Sequence, residues 1–116
     1  MIKDEIHTAV GDEFFEMANV FPEDTGLPFV VYISEKGNAR HDVRVKVASG
    51  PKARDFVATV SVRPAVEVVG GELDTGSLDL VRRWIDLNRD VIIQYWDGTI
   101  AQTKQALAAL RPIERD

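Results

Sequence analysis

The chain has 116 residues, no cysteine, two histidines and a formal net charge of −5. A chain of this length with no internal repeat and no long linker is predicted to form one domain, residues 1–116, with a core of its own. The missing cysteines exclude disulfides, thiolate zinc sites and cysteine nucleophiles, and any metal site would have to depend on carboxylates. We therefore expect neither a metal nor a cofactor.

Charge is distributed unevenly along the chain. Residues 1–35 carry one lysine against eight acidic residues, residues 36–63 carry seven basic residues against two acidic ones, and residues 64–116 carry six basic against nine acidic. The middle of the chain is therefore basic between two acidic ends. Nucleic-acid-binding domains tend to be basic as a whole, so this layout favours charge pairing on the folded surface or between copies of the chain.

Apolar residues near the start of the chain recur at helical spacing, which predicts one or two short amphipathic helices. They are Ile2, Ile6, Ala9, Val10, Phe14, Met17, Ala18 and Phe21. The first ten residues lack the basic start and the apolar run of a secretory signal, and no window reaches the length of a membrane span. We therefore expect a cytoplasmic protein. The turn formers between Pro22 and Pro28 end helix continuation.

Four short segments then have the composition or the alternation of β-strands. Phe29–Ile33 is β-branched and aromatic, which is typical of a buried strand. In segments 42–48 and 56–63 apolar and polar residues alternate, which predicts half-buried antiparallel strands. One face of this pair is predicted to carry Val43, Val45, Val47, Phe56, Ala58, Val60 and Val62, and the outer face to carry Arg44, Lys46, Thr59, Ser61 and Arg63. Val66–Val69 predicts a fourth strand.

The most regular segment is Leu78–Trp96. At about 100° per residue its charged residues fall within an arc of roughly 140°, which predicts a long helix with one apolar side. The charged arc is interpreted as a solvated face with ion pairs such as Asp79 with Arg83. Asn88 is the one polar residue near the middle of the apolar arc, where it can contact a ligand or be satisfied by backbone groups.

Both ends of this helix carry sequence signals. Asp74, Thr75 and Ser77 are all competent N-caps, and Gly98 is a natural helix end. A short helix is predicted over Ala101–Leu110. Because the connections between the strands are too short for helical crossovers, the predicted fold class is α+β: a mostly antiparallel sheet of three to four strands with one long amphipathic helix packed on one face and short terminal helices.

The segment Val68 to Trp96 resembles the small bacterial family known as DUF4160. The similarity lies in the G-x-L turn at Gly71-Glu72-Leu73, the pattern L-x-L-V-x-x-W at Leu78–Trp84, and Trp96. Of the family's H-N-P-P-H-x-H-V segment, only Asn38 and His41 are matched, and Asn88 replaces a helix histidine common in the family. The resemblance implies a cytoplasmic protein of a kind found near genes resembling toxin–antitoxin modules, and it implies no established reaction.

The candidate binding residues lie mainly in the basic stretch. A histidine beside cations can bind phosphate or take part in acid–base chemistry on RNA, but no second general acid or base accompanies it. We therefore name no catalytic residue, and the candidate binding residues are Arg40, His41, Arg44, Lys46, Arg63 and Asn88. Trp84, Tyr95 and Trp96 can stack on bases, but the apolar arc of the helix favours a place in the core.

Three functions compete on these observations, of which small-molecule binding comes third. The first is a non-catalytic interaction module whose basic sheet face binds an acidic protein partner or a second copy of the chain. The alternative is a toxin–antitoxin-like protein that binds or cuts RNA with the cluster from Arg40 to Lys46.

Overall fold

The computed structural model describes residues 17–52 and 55–114. Within these ranges the strands are β1 (Met17–Val20), β2 (Val31–Ser34), β3 (Arg44–Ala48), β4 (Phe56–Ser61) and β5 (Val68–Gly71), and the helices are α1 (Pro22–Thr25), α2 (Thr75–Asp97) and α3 (Thr103–Ala109). The strands pair in chain order, each antiparallel to the next. The predicted α+β class is confirmed, with five strands in the described sheet instead of three to four.

The additional strand is β1, where the sequence predicted a helix. Met17 pairs with Ser34 and Val20 with Val31, and Ala18 and Val20 are buried while Asn19 is exposed. An apolar pattern this short fits a helix or a strand, and pairing with β2 decides in favour of the strand. The rest of the predicted N-terminal helices falls on residues 1–16, which lie outside the described residues.

The core lies between the sheet and α2. Valines from β3 and β4 pack there with the buried face of α2, and Ala106 of α3 joins the same core. The buried residues of α2 are Val81, Trp84, Ile85, Asn88, Val91, Ile92, Tyr95 and Trp96, so the prediction that the two tryptophans anchor the core is confirmed. None of the described helices is long and apolar enough to cross a membrane.

Capping residues set the ends of α2. Asp74 is the N-cap, because its carboxylate accepts a hydrogen bond from the Ser77 N–H at 2.6 Å. Gly98 ends the helix in the left-handed conformation with φ of 88°, as predicted. Leu87 departs from the prediction, since it belongs to the apolar arc and is 39% exposed.

The charged face of α2 does more than contact solvent. Arg82 lies 3.7 Å from Asp79, while the predicted pair of Asp79 with Arg83 is not formed. Instead, Arg82 donates to the Val66 carbonyl and Arg89 to the Val62 carbonyl. The helix therefore holds the β4–β5 connection through hydrogen bonds from charged donors, which are stronger than those between neutral groups.

Candidate functional site

The outer face of the sheet, which is the face opposite α2, carries the polar residues that the alternation placed there. Lys46 pairs with Tyr32 on one side and with Thr59 on the other, and Arg44 pairs with Ser61. Arg44 and Lys46 are half-buried while the valines between and beside them are in the core. The predicted sharing of one face by Arg44, Lys46, Thr59 and Ser61 is confirmed.

Arg63, the fifth residue predicted for this face, is paired with a carboxylate. Its Nε and Nη2 each donate to Asp42 at 2.9 Å, which is a two-point contact. The hydrogen bond from Arg63 lowers the pKa of Asp42 to about 2, with a smaller contribution from the Val43 N–H. The charge of Arg63 is therefore neutralised locally, and the cations that characterise the outer face are Arg44 and Lys46.

Phe56 lies on the opposite face from the one that the sequence predicted. Ala48 pairs with Phe56 and Val47 with Ala58, so Val57 is an extra residue in β4, which forms a β-bulge. A shift of one residue exchanges the faces of a strand, and the bulge therefore turns Phe56 to the outer face.

On the outer face Phe56 forms an aromatic cluster with Tyr32. The two rings meet edge to face with their centroids 4.7 Å apart, and the ammonium of Lys46 lies 5.2 Å from the centroid of Phe56. Val30, Tyr32 and Ala48 are buried in this cluster, and Tyr32 is only 4% exposed. Phe56 is half-buried, so the cluster presents one partly covered ring and not a row of exposed aromatic faces on which nucleic-acid bases can stack.

His41 lies apart from the cations of the outer face, on the C-terminal end of α2. Its ring stacks on Trp96 with the centroids 5.7 Å apart and the planes 29° apart. Its Nδ1 donates to the Asp42 carbonyl at 2.7 Å, and this is the only hydrogen bond of the ring within the described part of the chain. The backbone N–H of Lys36 donates to the Trp96 carbonyl in the same place. These contacts dock the β2–β3 connection on α2.

Arg40 and Asn88 are the remaining sequence-predicted residues, and the structure separates them. Arg40 is exposed next to His41. Asn88 is fully buried, and its amide hydrogen-bonds to backbone groups of Trp84 and Arg111, so backbone satisfaction is the interpretation that the structure supports. The six candidate residues thus divide among three places: the outer face, the end of α2 and the buried side of α2.

Sequence reasoning missed Tyr32 and Phe56 as residues of this surface. The place of Tyr32 on the outer face could have been predicted, because neighbouring strand residues point to opposite faces and Tyr32 alternates with Val31 and Ile33. The place of Phe56 depends on the bulge at Val57, and no local residue pattern predicts that bulge.

No family model, no curated protein and no solved structure matches this chain in the three comparisons made. The resemblance of residues 68–96 to DUF4160 proteins therefore stays a prediction.

Proposed function

We propose that this chain is a non-catalytic protein-interaction module that binds an acidic partner through the outer face of its sheet. The observation that carries the proposal is the cross-strand arrangement of Arg44 and Lys46 beside the hydroxyls of Ser61 and Thr59. Arg44 forms no ion pair and no side-chain hydrogen bond with the described residues. A cation on a half-buried sheet position attracts a carboxylate more strongly than a fully solvated one, because water screens it less.

A protein partner fits this surface better than RNA does. Binding of single-stranded RNA relies on exposed aromatic faces as well as cations. On the outer face Tyr32 is buried and Phe56 is half-buried, and Trp84 and Trp96 are buried in the core. An acidic peptide requires only the cations and hydrogen-bond donors that this face carries, and charge complementarity sets its specificity and its rate of association.

The alternative is an RNA-directed protein that uses the stretch from Arg40 to Lys46. The exposed Arg40 next to the half-buried His41 favours it. The single hydrogen bond of the His41 ring, to a backbone carbonyl, opposes a cleavage function, because general acid–base chemistry needs a second group within reach. For either function we place the protein in the cytoplasm.

The test compares two labelled probes at low salt: a glutamate-rich peptide and a single-stranded RNA oligonucleotide of matched charge. We expect the wild-type chain to bind the peptide and to lose affinity as salt rises, because both partners are charged. We expect Arg44→Glu to weaken peptide binding roughly 10-fold, which corresponds to the removal of one charge-assisted contact. Fluorescence anisotropy measures both.

The matched control is Lys104→Glu, which makes the same charge change at an exposed position of α3. It should leave peptide binding near the wild-type value, because α3 packs on the core side of the sheet. If Lys104→Glu weakens binding as much as Arg44→Glu does, net charge and not the outer face determines the affinity. Preferential binding of RNA by the wild-type chain would replace this proposal with the alternative.

A further inference from the structure

Met17, the first of the described residues, places the chain on the outer face of the sheet. Its side chain packs against the aromatic cluster of that face, while Ala18 next to it belongs to the core. Its strand, β1, forms one edge of the sheet. Residues 1–16 therefore join the described chain at a side chain that already lies on the outer face.

The centre of the outer face is buried although α2 lies on the opposite face. Val30, Tyr32 and Ala48 are only 0%, 4% and 1% exposed. The partly buried apolar residues packed against them are Met17 and Phe56, which belong to the same face. Side chains on one sheet face stand side by side and do not cover one another from above. Burial this deep therefore calls for a covering layer on the outer face.

Residues 1–16 have the composition that such a layer requires. They carry one lysine against five acidic residues, and their apolar residues recur at helical spacing. These apolar residues are Ile2, Ile6, Ala9, Val10 and Phe14. At about 100° per residue, Glu13 falls among them and Glu16 at their edge. A carboxylate on the apolar side of a helix requires a cationic partner, and the outer face offers Arg44 and Lys46.

The segment is also long enough to cross the sheet. Sixteen residues of helix extend about 24 Å, and the spacings between five neighbouring strands amount to about 19 Å. Arg44 and Lys46 lie on β3, in the middle of the sheet and two strands away from β1. Acidic residues in the second half of the segment are therefore within range of both cations.

We propose that residues 1–16 cover the outer face of the sheet of the same chain, with their apolar side on the aromatic cluster and their acidic residues beside Arg44 and Lys46. Met17 holds the end of the segment next to the cluster, which gives the segment a higher effective concentration there than a second copy has. The basic middle of the chain is thereby paired with an acidic segment of its own. An acidic partner has to displace this segment, a consequence that rests on the proposed function.

Cross-linking of the full chain with a carbodiimide tests this arrangement, because the reagent joins a carboxylate to an amine only where the two are in contact. We expect an amide bond between Lys46 and an acidic side chain of residues 1–16 in the monomer fraction, identified by mass spectrometry after digestion. Arg44→Lys adds a second amine to the same face and should be coupled to the same segment. Lys104 on α3 should give no such product.

Lys46→Arg is the matched control. It keeps the positive charge but removes the amine, so the cross-link should disappear. A cross-link between Lys46 and the segment that is found only in a dimer fraction would overturn the proposal, because the occupant would then be a second copy. Absence of the cross-link from both the wild-type chain and Arg44→Lys would overturn it as well.

Binding of the glutamate-rich peptide tests the competition. Glu13→Gln/Glu16→Gln should bind the peptide roughly 5-fold more tightly than the wild-type chain, because a smaller fraction of the chains is covered. Glu23→Gln/Asp24→Asn makes the same charge change on α1 and should leave the affinity unchanged. Equal gains for the two variants would overturn the competition. A peptide that binds neither the wild-type chain nor Glu13→Gln/Glu16→Gln would refute the proposed function, while the cross-link still decides whether the segment covers the face.

Discussion

Asn88 and Arg111, which lie on α2 and beyond α3, are joined by a reciprocal pair of hydrogen bonds of 2.7 and 2.9 Å. The third hydrogen bond of the Asn88 amide goes to the Trp84 carbonyl at 3.0 Å. A buried amide without such partners would destabilise the fold, since each unpaired polar group loses its hydration without replacement. The pair thus explains how a polar residue occupies the centre of an apolar helix face.

We expect Asn88→Ala to lower the free energy of unfolding by about 2–3 kcal/mol, because it removes three hydrogen bonds, one of them fully buried, and takes the Asn88 partner from the partly buried backbone groups of Arg111. Urea denaturation measures the loss. Gln94→Ala is the control on the same helix, at an exposed position, and should change the stability by less than about 0.5 kcal/mol. Similar values for the two variants would contradict the role given to the Asn88 amide.

Alanine substitutions at three glycines separate backbone strain from close contact. Gly26→Ala adds a Cβ close to the Ile113 oxygen at a φ of 80°, Gly98→Ala adds one in open space at a φ of 88°, and Gly50→Ala adds one in open space without a positive φ. We expect the free energy of unfolding to fall by more than about 2 kcal/mol for Gly26→Ala, by about 1 kcal/mol for Gly98→Ala and by almost nothing for Gly50→Ala. Thermal unfolding ranks the variants. Equal losses of stability for Gly26→Ala and Gly98→Ala would show that the backbone at Ile113 moves to make room for the added Cβ.

The pair of Asp42 with Arg63 predicts a pH dependence of stability. Arg63 holds the pKa of Asp42 at about 2 in the folded chain against 3.8 in the unfolded one. The stabilisation is therefore present above pH 3.8 and is lost as the pH falls through 2. Because the Asp42 side chain is 52% exposed, water screens the pair and its contribution should stay below about 1 kcal/mol.

Urea denaturation of wild type and Asp42→Asn between pH 2 and 7 checks this dependence. The difference in stability should be constant at the upper end of that range and shrink towards the lower end. Arg63→Gln should show the same loss, and the double variant no further loss, since both single substitutions remove one interaction. Additive losses would mean that the two residues act separately.

The two tyrosines should ionise at a higher pH in the folded chain than in the unfolded chain. Burial raises the pKa of Tyr32 and of Tyr95 above the ordinary value of 10.0, and the hydrogen bond of Tyr95 with Thr103 opposes the shift only in part. At pH 10 the folded chain should show less phenolate absorbance than the chain unfolded in urea. A raised pKa stabilises the folded state below pH 10, and this stabilisation is lost as the pH rises through the folded pKa values.

The variant Tyr95→Phe allows the ionisation of Tyr32 to be measured separately from that of Tyr95. It leaves Tyr32 as the single phenol, and the remaining signal should still appear above pH 10, because Tyr32 is buried in the outer cluster. A titration that coincides with that of the unfolded chain would contradict the burial of Tyr32.

The strands β3 and β4 and the helix α2 could be predicted from the sequence because the apolar pattern of each repeats often enough to identify its period. Alternation places Arg44 and Lys46 opposite the core valines, and the pattern of Leu78–Trp96 repeats over five turns of helix. The turn residues Asp74 and Gly98 were among the predicted ends for the same reason, since capping is a local interaction. Fold class and the shared face of the cations followed from these patterns.

The sequence by itself determined which segments are amphipathic and with which period. Only the tertiary structure decided the rest: β1 as a strand, Phe56 on the outer face, the pairing of Arg63 with Asp42 and the hydrogen bonds of Asn88. Each of these depends on a contact between residues that are distant in the sequence, or on a register shift of one residue. Local propensity carries no information about either, because the energy that selects them comes from the partner strand or segment.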